Sequence, residues 1–174
     1  MSRKVILYIA TSIDGYIARS NGEVDWLEGD GSNPNADGGY EAFYNTIDTV
    51  IMGNTTYKQI MGWGEYPYKG TKGYVYTKNK QDHNEDVIFT SQDPADLIKT
   101  LKQEGGKDIW VIGGTEIVDL FVKADLIDEY IITIAPVILG EGIPLFKGNN
   151  PEIRLVLKEG STFNGFTQGH YIRK

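Results

Sequence analysis

Ile109-Trp110-Val111-Ile112-Gly113-Gly114-Thr115-Glu116 is the stretch on which the reading of the fold turns. Its apolar, largely β-branched start predicts a strand over 109–112 that is covered on both faces. Two glycines then lead directly into a helix, with Ile117, Leu120 and Phe121 expected on its buried side. Without a Cβ at the junction a diphosphate can approach the backbone, where the first free N–H groups and the helix dipole favour negative charge. A tight turn selected for packing has the same texture, and Glu116 adds a negative charge at the wrong place for an anion.

The same order recurs in Val50-Ile51-Met52-Gly53-Asn54-Thr55-Thr56-Tyr57, a strand, a glycine and a helix over 55–61 that opens on hydroxyl side chains. Ordinary capping by Asn54 or Thr55 explains either residue alone. Taken together, the two junctions put two helix N-termini on one carboxyl edge, where dinucleotides bind in α/β sheets.

Working outward, strand texture appears over 5–10, 49–52, 73–76 and 87–89. A helix begins at Asp93-Pro94, where Asp caps and Pro fits the first position. It buries Leu97, Ile98 and Leu101 and stops at Gly105-Gly106. Strands alternating with helices predict a mostly parallel sheet. After Asp128 the pattern changes to strands over 130–134, 154–161 and 166–173, the last pair joined by the hairpin signal Asn164-Gly165, so the sheet should end antiparallel. The Gly-, Asn- and Asp-rich run over 29–39 reads as a linker or a functional loop. No repeat is legible, and one domain spanning 1–174 is expected.

A net charge of −7 opposes binding driven by counterion release from nucleic acid. The chain has no cysteine, and its two histidines, His83 and His170, are far apart in sequence, so no metal site is expected. A reducing cytoplasm fits this composition, and the short apolar run after Met1-Ser2-Arg3-Lys4 predicts neither export nor a membrane span. One further turn, Thr11-Ser12-Ile13-Asp14-Gly15-Tyr16-Ile17-Ala18, carries a carboxylate at a strand end, and Trp26 follows after a polar loop. Asp14-Gly15 is by itself an ordinary turn pair.

In this order and spacing the pieces resemble the dihydrofolate reductase superfamily over nearly the whole chain. Met52-Gly53-Asn54-Thr55-Thr56-Tyr57 is similar to its Met-Gly-Arg-x-Thr-Trp/Tyr cofactor motif, and Val111-Ile112-Gly113-Gly114 to its Ile-Gly-Gly motif with a cis Gly-Gly bond. The segment from Ser12 to Ala18 and the run Pro136-Val137-Ile138-Leu139-Gly140-Glu141-Gly142-Ile143-Pro144-Leu145-Phe146 resemble the riboflavin-biosynthesis reductase branch, the RibD C-terminal type.

The resemblance implies a three-layer α/β/α fold with a mixed, mostly parallel sheet. It implies an NADPH-dependent reductase of the 5-amino-6-(5-phosphoribosylamino)uracil reductase type. A dihydrofolate reductase and a nucleotide-binding protein that has lost catalysis remain as alternatives. It implies further that Gly53, Thr55 and Thr56 cradle a diphosphate from one side and Gly113, Gly114, Thr115 and Ile117 from the other. Thr77 and Lys78 would meet the 2′-phosphate. Asn54 stands where the motif has Arg, which removes a guanidinium that would pair with phosphate. The candidates for proton relay or substrate binding are Asp14 and Asp37, with Trp26 shaping the pocket; a solvated turn is the competing explanation of Asp37. A small-molecule substrate and a homodimer complete the expectation.

Overall fold

The computed structural model describes residues 2–79 and 84–174, so His83 lies outside the described residues. In chain order the elements are β1 (Val5–Thr11), β2 (Tyr16–Ala18), α1 (Tyr40–Tyr44), β3 (Ile47–Gly53), α2 (Asn54–Gly62), β4 (Lys72–Tyr76), β5 (Val87–Thr90), α3 (Pro94–Glu104), β6 (Asp108–Gly113), α4 (Thr115–Lys123), β7 (Glu129–Ile134), β8 (Ile143–Pro144), β9 (Leu155–Phe163) and β10 (Phe166–Arg173). Eight strands form one sheet in the order β5-β4-β3-β6-β1-β7-β10-β9. The first six run parallel, and β10 is antiparallel to both β7 and β9. The fold is therefore mixed α/β, mostly parallel with antiparallel C-terminal strands, as the sequence predicts.

Period-two alternation splits the core into two layers. Val5 and Leu7 of β1 and Ile109 and Val111 of β6 face Leu97, Ile98 and Leu101 of α3 and Val118, Phe121 and Val122 of α4. Ile6, Val50, Met52 and Trp110 face the other way, toward Phe43 of α1 and Tyr57 and Ile60 of α2. One correction concerns α4: Leu120 is 46% exposed. The buried stripe runs through Ile117, Val118, Phe121 and Val122, and at 100° per residue Leu120 falls about 130° from its centre.

Arg3 ties the layers together at the amino edge. Its guanidinium is buried and donates to the Leu101 and Gly105 carbonyls, each at 3.0 Å, at the end of α3. It also donates to the Lys107 carbonyl at 2.5 Å and to Thr49 Oγ1 at 2.7 Å, and it pairs with Asp48. A cation that satisfies the last carbonyls of a helix is favoured by both hydrogen bonding and the dipole.

The elements not foreseen are the smallest. β2 and β8 pair as a separate two-stranded ribbon, Tyr16 opposite Pro144 and Ala18 opposite Ile143. The loop over 29–39 delivers the five-residue α1. No helix among the described residues is long and apolar enough to cross a membrane.

Candidate functional site

β3 and β6 are neighbours in the sheet, so the helices that follow them start side by side. Gly53 precedes α2 and Gly114 precedes α4, and neither helix has a side-chain cap at its N-terminus. The other two helices do have carboxylates on their first N–H groups. Asp93 accepts from Ala95 N at 2.9 Å and Asp96 N at 3.2 Å, and Asp37 accepts from Glu41 N at 3.1 Å. The two N-termini left open for an anion are the two that share an edge.

Their glycines permit the close approach. A Cβ on Gly53 would stand 3.1 Å from Ile117 Cγ1, and one on Gly114 would stand 3.3 Å from Thr56 Oγ1. Gly113 has φ +128°, a conformation only glycine adopts readily, and the Gly113–Gly114 bond is cis, matching the expectation from the resemblance.

A cavity of 420 Å³ opens between the two junctions. Gly53, Asn54, Thr55 and Thr56 line it from α2, and Gly114, Thr115, Glu116 and Ile117 from α4. Tyr76, Gln59, Ile17, Ala18, Gly22 and Ile143 complete the wall. Two polar atoms on this lining, Asn54 Oδ1 and the Tyr76 hydroxyl, are buried without a partner among the described residues. Such groups carry an unmet hydrogen-bonding demand. Burial pushes the Tyr76 phenol up, so it keeps its proton at neutral pH. Thr115 Oγ1 is committed to the Pro144 carbonyl at 2.6 Å, and Gln59 Nε2 to the Gly22 carbonyl at 2.7 Å. Each bond holds a peripheral segment over the cavity.

Of the sequence-stretch candidates, Gly113 lies just behind this lining, and Thr77 and Lys78 follow Tyr76 along the same edge, outside it. Thr77 N donates to Thr90 O at 3.0 Å and its Oγ1 accepts from Asn79 N at 3.0 Å; Lys78 is exposed.

The three residues expected to act on substrate are dispersed. Asp14 is exposed and its oxygens accept from Ser12 Oγ at 2.6 Å, Gly140 N at 2.8 Å and Leu139 N at 3.1 Å. The Ser12 bond above all, and the two backbone N–H groups, hold this carboxyl below its ordinary range. Asp37 is also exposed. The N–H groups of Glu41 and Gly39 lower its pKa, and with the Glu41 bond it caps α1. Its neighbours Gly38 and Gly39 line a different cavity, of 490 Å³, with Tyr8, Phe43, Gln168 and His170. Trp26 is 7% exposed, and its indole N–H has no partner among the described residues. None of the three is on the lining between the helices.

Tyr76 and Gln59 went unrecognised in the sequence. Tyr76 was legible as the last residue of a strand ending at the ligand edge; Gln59 had no signal, because its role depends on Gly22 being folded back onto α2.

The sequence profile of the RibD C-terminal domain matches residues 3–165. The chain belongs to the RibD C-terminal domain family. Within this family it is 44% identical to the uncharacterized protein YwjB of Bacillus subtilis (strain 168), over 99% of each chain. It is 31% identical to a putative riboflavin biosynthesis protein from Shewanella sp. PV-4 of known structure, with a TM-score of 0.86 over 100% of this chain and 99% of that one. The bifunctional deaminase and 5-amino-6-(5-phosphoribosylamino)uracil reductase of Thermotoga maritima shares the fold, with a TM-score of 0.73 at 14% identity; this RibD C-terminal chain spans 57% of its length.

Proposed function

We propose that the chain is an NADPH-dependent oxidoreductase of the riboflavin-pathway type, reducing a small carbonyl or imine substrate. The phosphoribosylaminouracil reductase reaction is the first to test. The observation that carries this reading is the pair of uncapped helix N-termini facing one cavity, with the buried, unpartnered Asn54 Oδ1 and Tyr76 hydroxyl on its wall.

NADPH, when bound, supplies the hydride. The diphosphate would take the N–H groups of Thr55, Thr56, Thr115 and Glu116, and Asn54 Oδ1, an acceptor, would take a hydroxyl or amide proton of the cofactor. Lys78, exposed and two residues after Tyr76, would meet the 2′-phosphate. The protein's own contribution is orientation and exclusion of water.

A second reading, a nucleotide-binding protein without catalysis, is favoured by one observation: neither candidate acid, Asp14 or Asp37, is on the cavity lining. Asp37, exposed and engaged with α1, also weighs against a dihydrofolate reductase, which needs a buried carboxylate against the pterin. Oxidation of NADPH, followed by absorbance with phosphoribosylaminouracil, dihydrofolate and a panel of carbonyl compounds, separates the readings. Turnover of any of them supports the reductase; tight binding without turnover supports the alternative.

We also propose a homodimer formed through the C-terminal strands. β9 is an edge strand with Val156 and Leu157 45% and 55% exposed, and such edges are ordinarily covered. A monomer across micromolar concentrations in light scattering would refute this. The acidic, cysteine-free composition suits the cytoplasm and a small-molecule substrate.

A further inference from the structure

The nucleotide reading leaves a charge problem. Glu116 is the one charged residue on the lining, it stands in the first turn of α4, and no Lys or Arg shares the wall with it. A carboxylate suits a helix N-terminus as long as no other anion is there; beside a bound diphosphate it is repulsive. The chain's balance of −7 gives no relief, and Asn54 replaces the motif's Arg.

Resting on that reading, we infer that Lys147 is a nucleotide-binding residue: it pairs with Glu116 at the mouth of the cavity and turns to a diphosphate oxygen when the ligand enters. The ion pair between Lys147 Nζ and Glu116 is present in the structure. Both side chains are partly in solvent, 38% and 78% exposed, so exchanging one partner for another costs little. A Lys ammonium is a point charge with three donors on a flexible stem, able to change partners without a fixed geometry.

The fold delivers this lysine deliberately to the α4 terminus. The strap over 137–147 is fastened along its length. Ile13 N donates to Val137 O at 2.8 Å, Asp14 takes the N–H groups of Leu139 and Gly140, and Leu145 N donates to Gly15 O at 2.9 Å. Thr115 Oγ1 fixes Pro144 to α4 itself, and Leu145 is buried with 3% exposure. Lys147 follows two residues later. Asp14 thus acts as a positioning residue for the strap, which accounts for a carboxylate that does not face the cavity.

The test uses the intact chain, NADPH and inorganic pyrophosphate as probes, and calorimetric titration at two salt concentrations. Lys147→Ala is expected to weaken both probes about tenfold and to reduce the salt dependence, while Lys147→Arg retains most of the affinity. Adding Glu116→Gln to Lys147→Ala should recover part of the loss, because the repulsion goes with the carboxylate. If Lys147→Ala binds both probes within about twofold of the parent, or the double variant recovers nothing, the inference is overturned. In that event a parent that still binds NADPH leaves the nucleotide site standing. A parent that binds neither probe removes the nucleotide site and this inference together.

Discussion

Gly114 and Thr56 belong to different strand–helix junctions, yet a Cβ on Gly114 would stand 3.3 Å from the Thr56 hydroxyl oxygen. The α2 and α4 termini are therefore packed against each other through the glycine positions that face the cavity. Gly114→Ala requires Thr56 to give by a few tenths of an ångström, since the Gly114 backbone, at φ −83°, is open to other residues. The expected result is a loss of about 1 kcal/mol in urea unfolding, relieved in a Thr56→Ser background if the threonine methyl limits the adjustment. No loss in the single variant would show that the junctions have more room than the geometry allows.

Arg3 predicts the largest stability effect. Arg3→Met removes the donor to the α3 carbonyls and leaves Asp48 without its buried partner. Breaking such a buried network costs about 3 kcal/mol, and the denaturation midpoint should fall while the slope is unchanged. A midpoint within error of the parent would contradict the role assigned to this network.

The acid limb of stability should depend on Glu129. Burial pushes this carboxyl up, but hydrogen bonds and charge from Lys4, at 2.6 Å, and His170, at 2.6 Å, outweigh it, so the folded pKa lies below the ordinary 4.5. A depressed folded pKa stabilises the protein above the unfolded value and loses that contribution as pH falls through the folded one. Unfolding free energy should therefore decline below pH 4.5. Glu129→Gln should be less stable at pH 7 and show a shallower decline. A parallel pH profile for the variant would place the acid sensitivity elsewhere.

Lys78 tests cofactor choice. It is exposed, so its charge would contribute modestly to the proposed 2′-phosphate contact. Lys78→Ala should weaken NADPH several-fold and leave NADH unchanged. Equal affinities of the parent for the two nucleotides, or an unchanged NADPH affinity in the variant, would remove Lys78 from the site.

The fold was legible because each element carries a period: alternation in β1 and β6, the apolar stripe of α3, Asn164-Gly165 between β9 and β10. Asn164 and Gly165 adopt φ +47° and +81°, the left-handed pair that such a hairpin needs. The glycine junctions were legible because a missing Cβ is visible in one letter. Asp14 and Asp37 were not, since a turn pair alone does not tell whether its carboxylate faces a ligand or backbone N–H groups. Asp37 folds onto the nearby N–H groups of Gly39 and Glu41, whereas Asp14 reaches those of Leu139 and Gly140, more than a hundred residues away. Gln59 and Lys147 escaped for a similar reason: the bond of Gln59 to Gly22 and the pairing of Lys147 with Glu116 each depend on a loop whose course no local pattern encodes.

The central claim is that the cavity between the α2 and α4 termini holds the diphosphate of NADPH, and fluorescence titration of NADPH into the parent, Gly114→Val and Asp93→Ala tests it most directly. Asp93→Ala loses a helix cap worth about 1 kcal/mol on α3, away from this cavity, and should bind as the parent does. The account predicts saturable binding to the parent and to Asp93→Ala, and none to a Gly114→Val protein shown to be folded by circular dichroism. No binding to the parent, or undiminished binding to folded Gly114→Val, would contradict it.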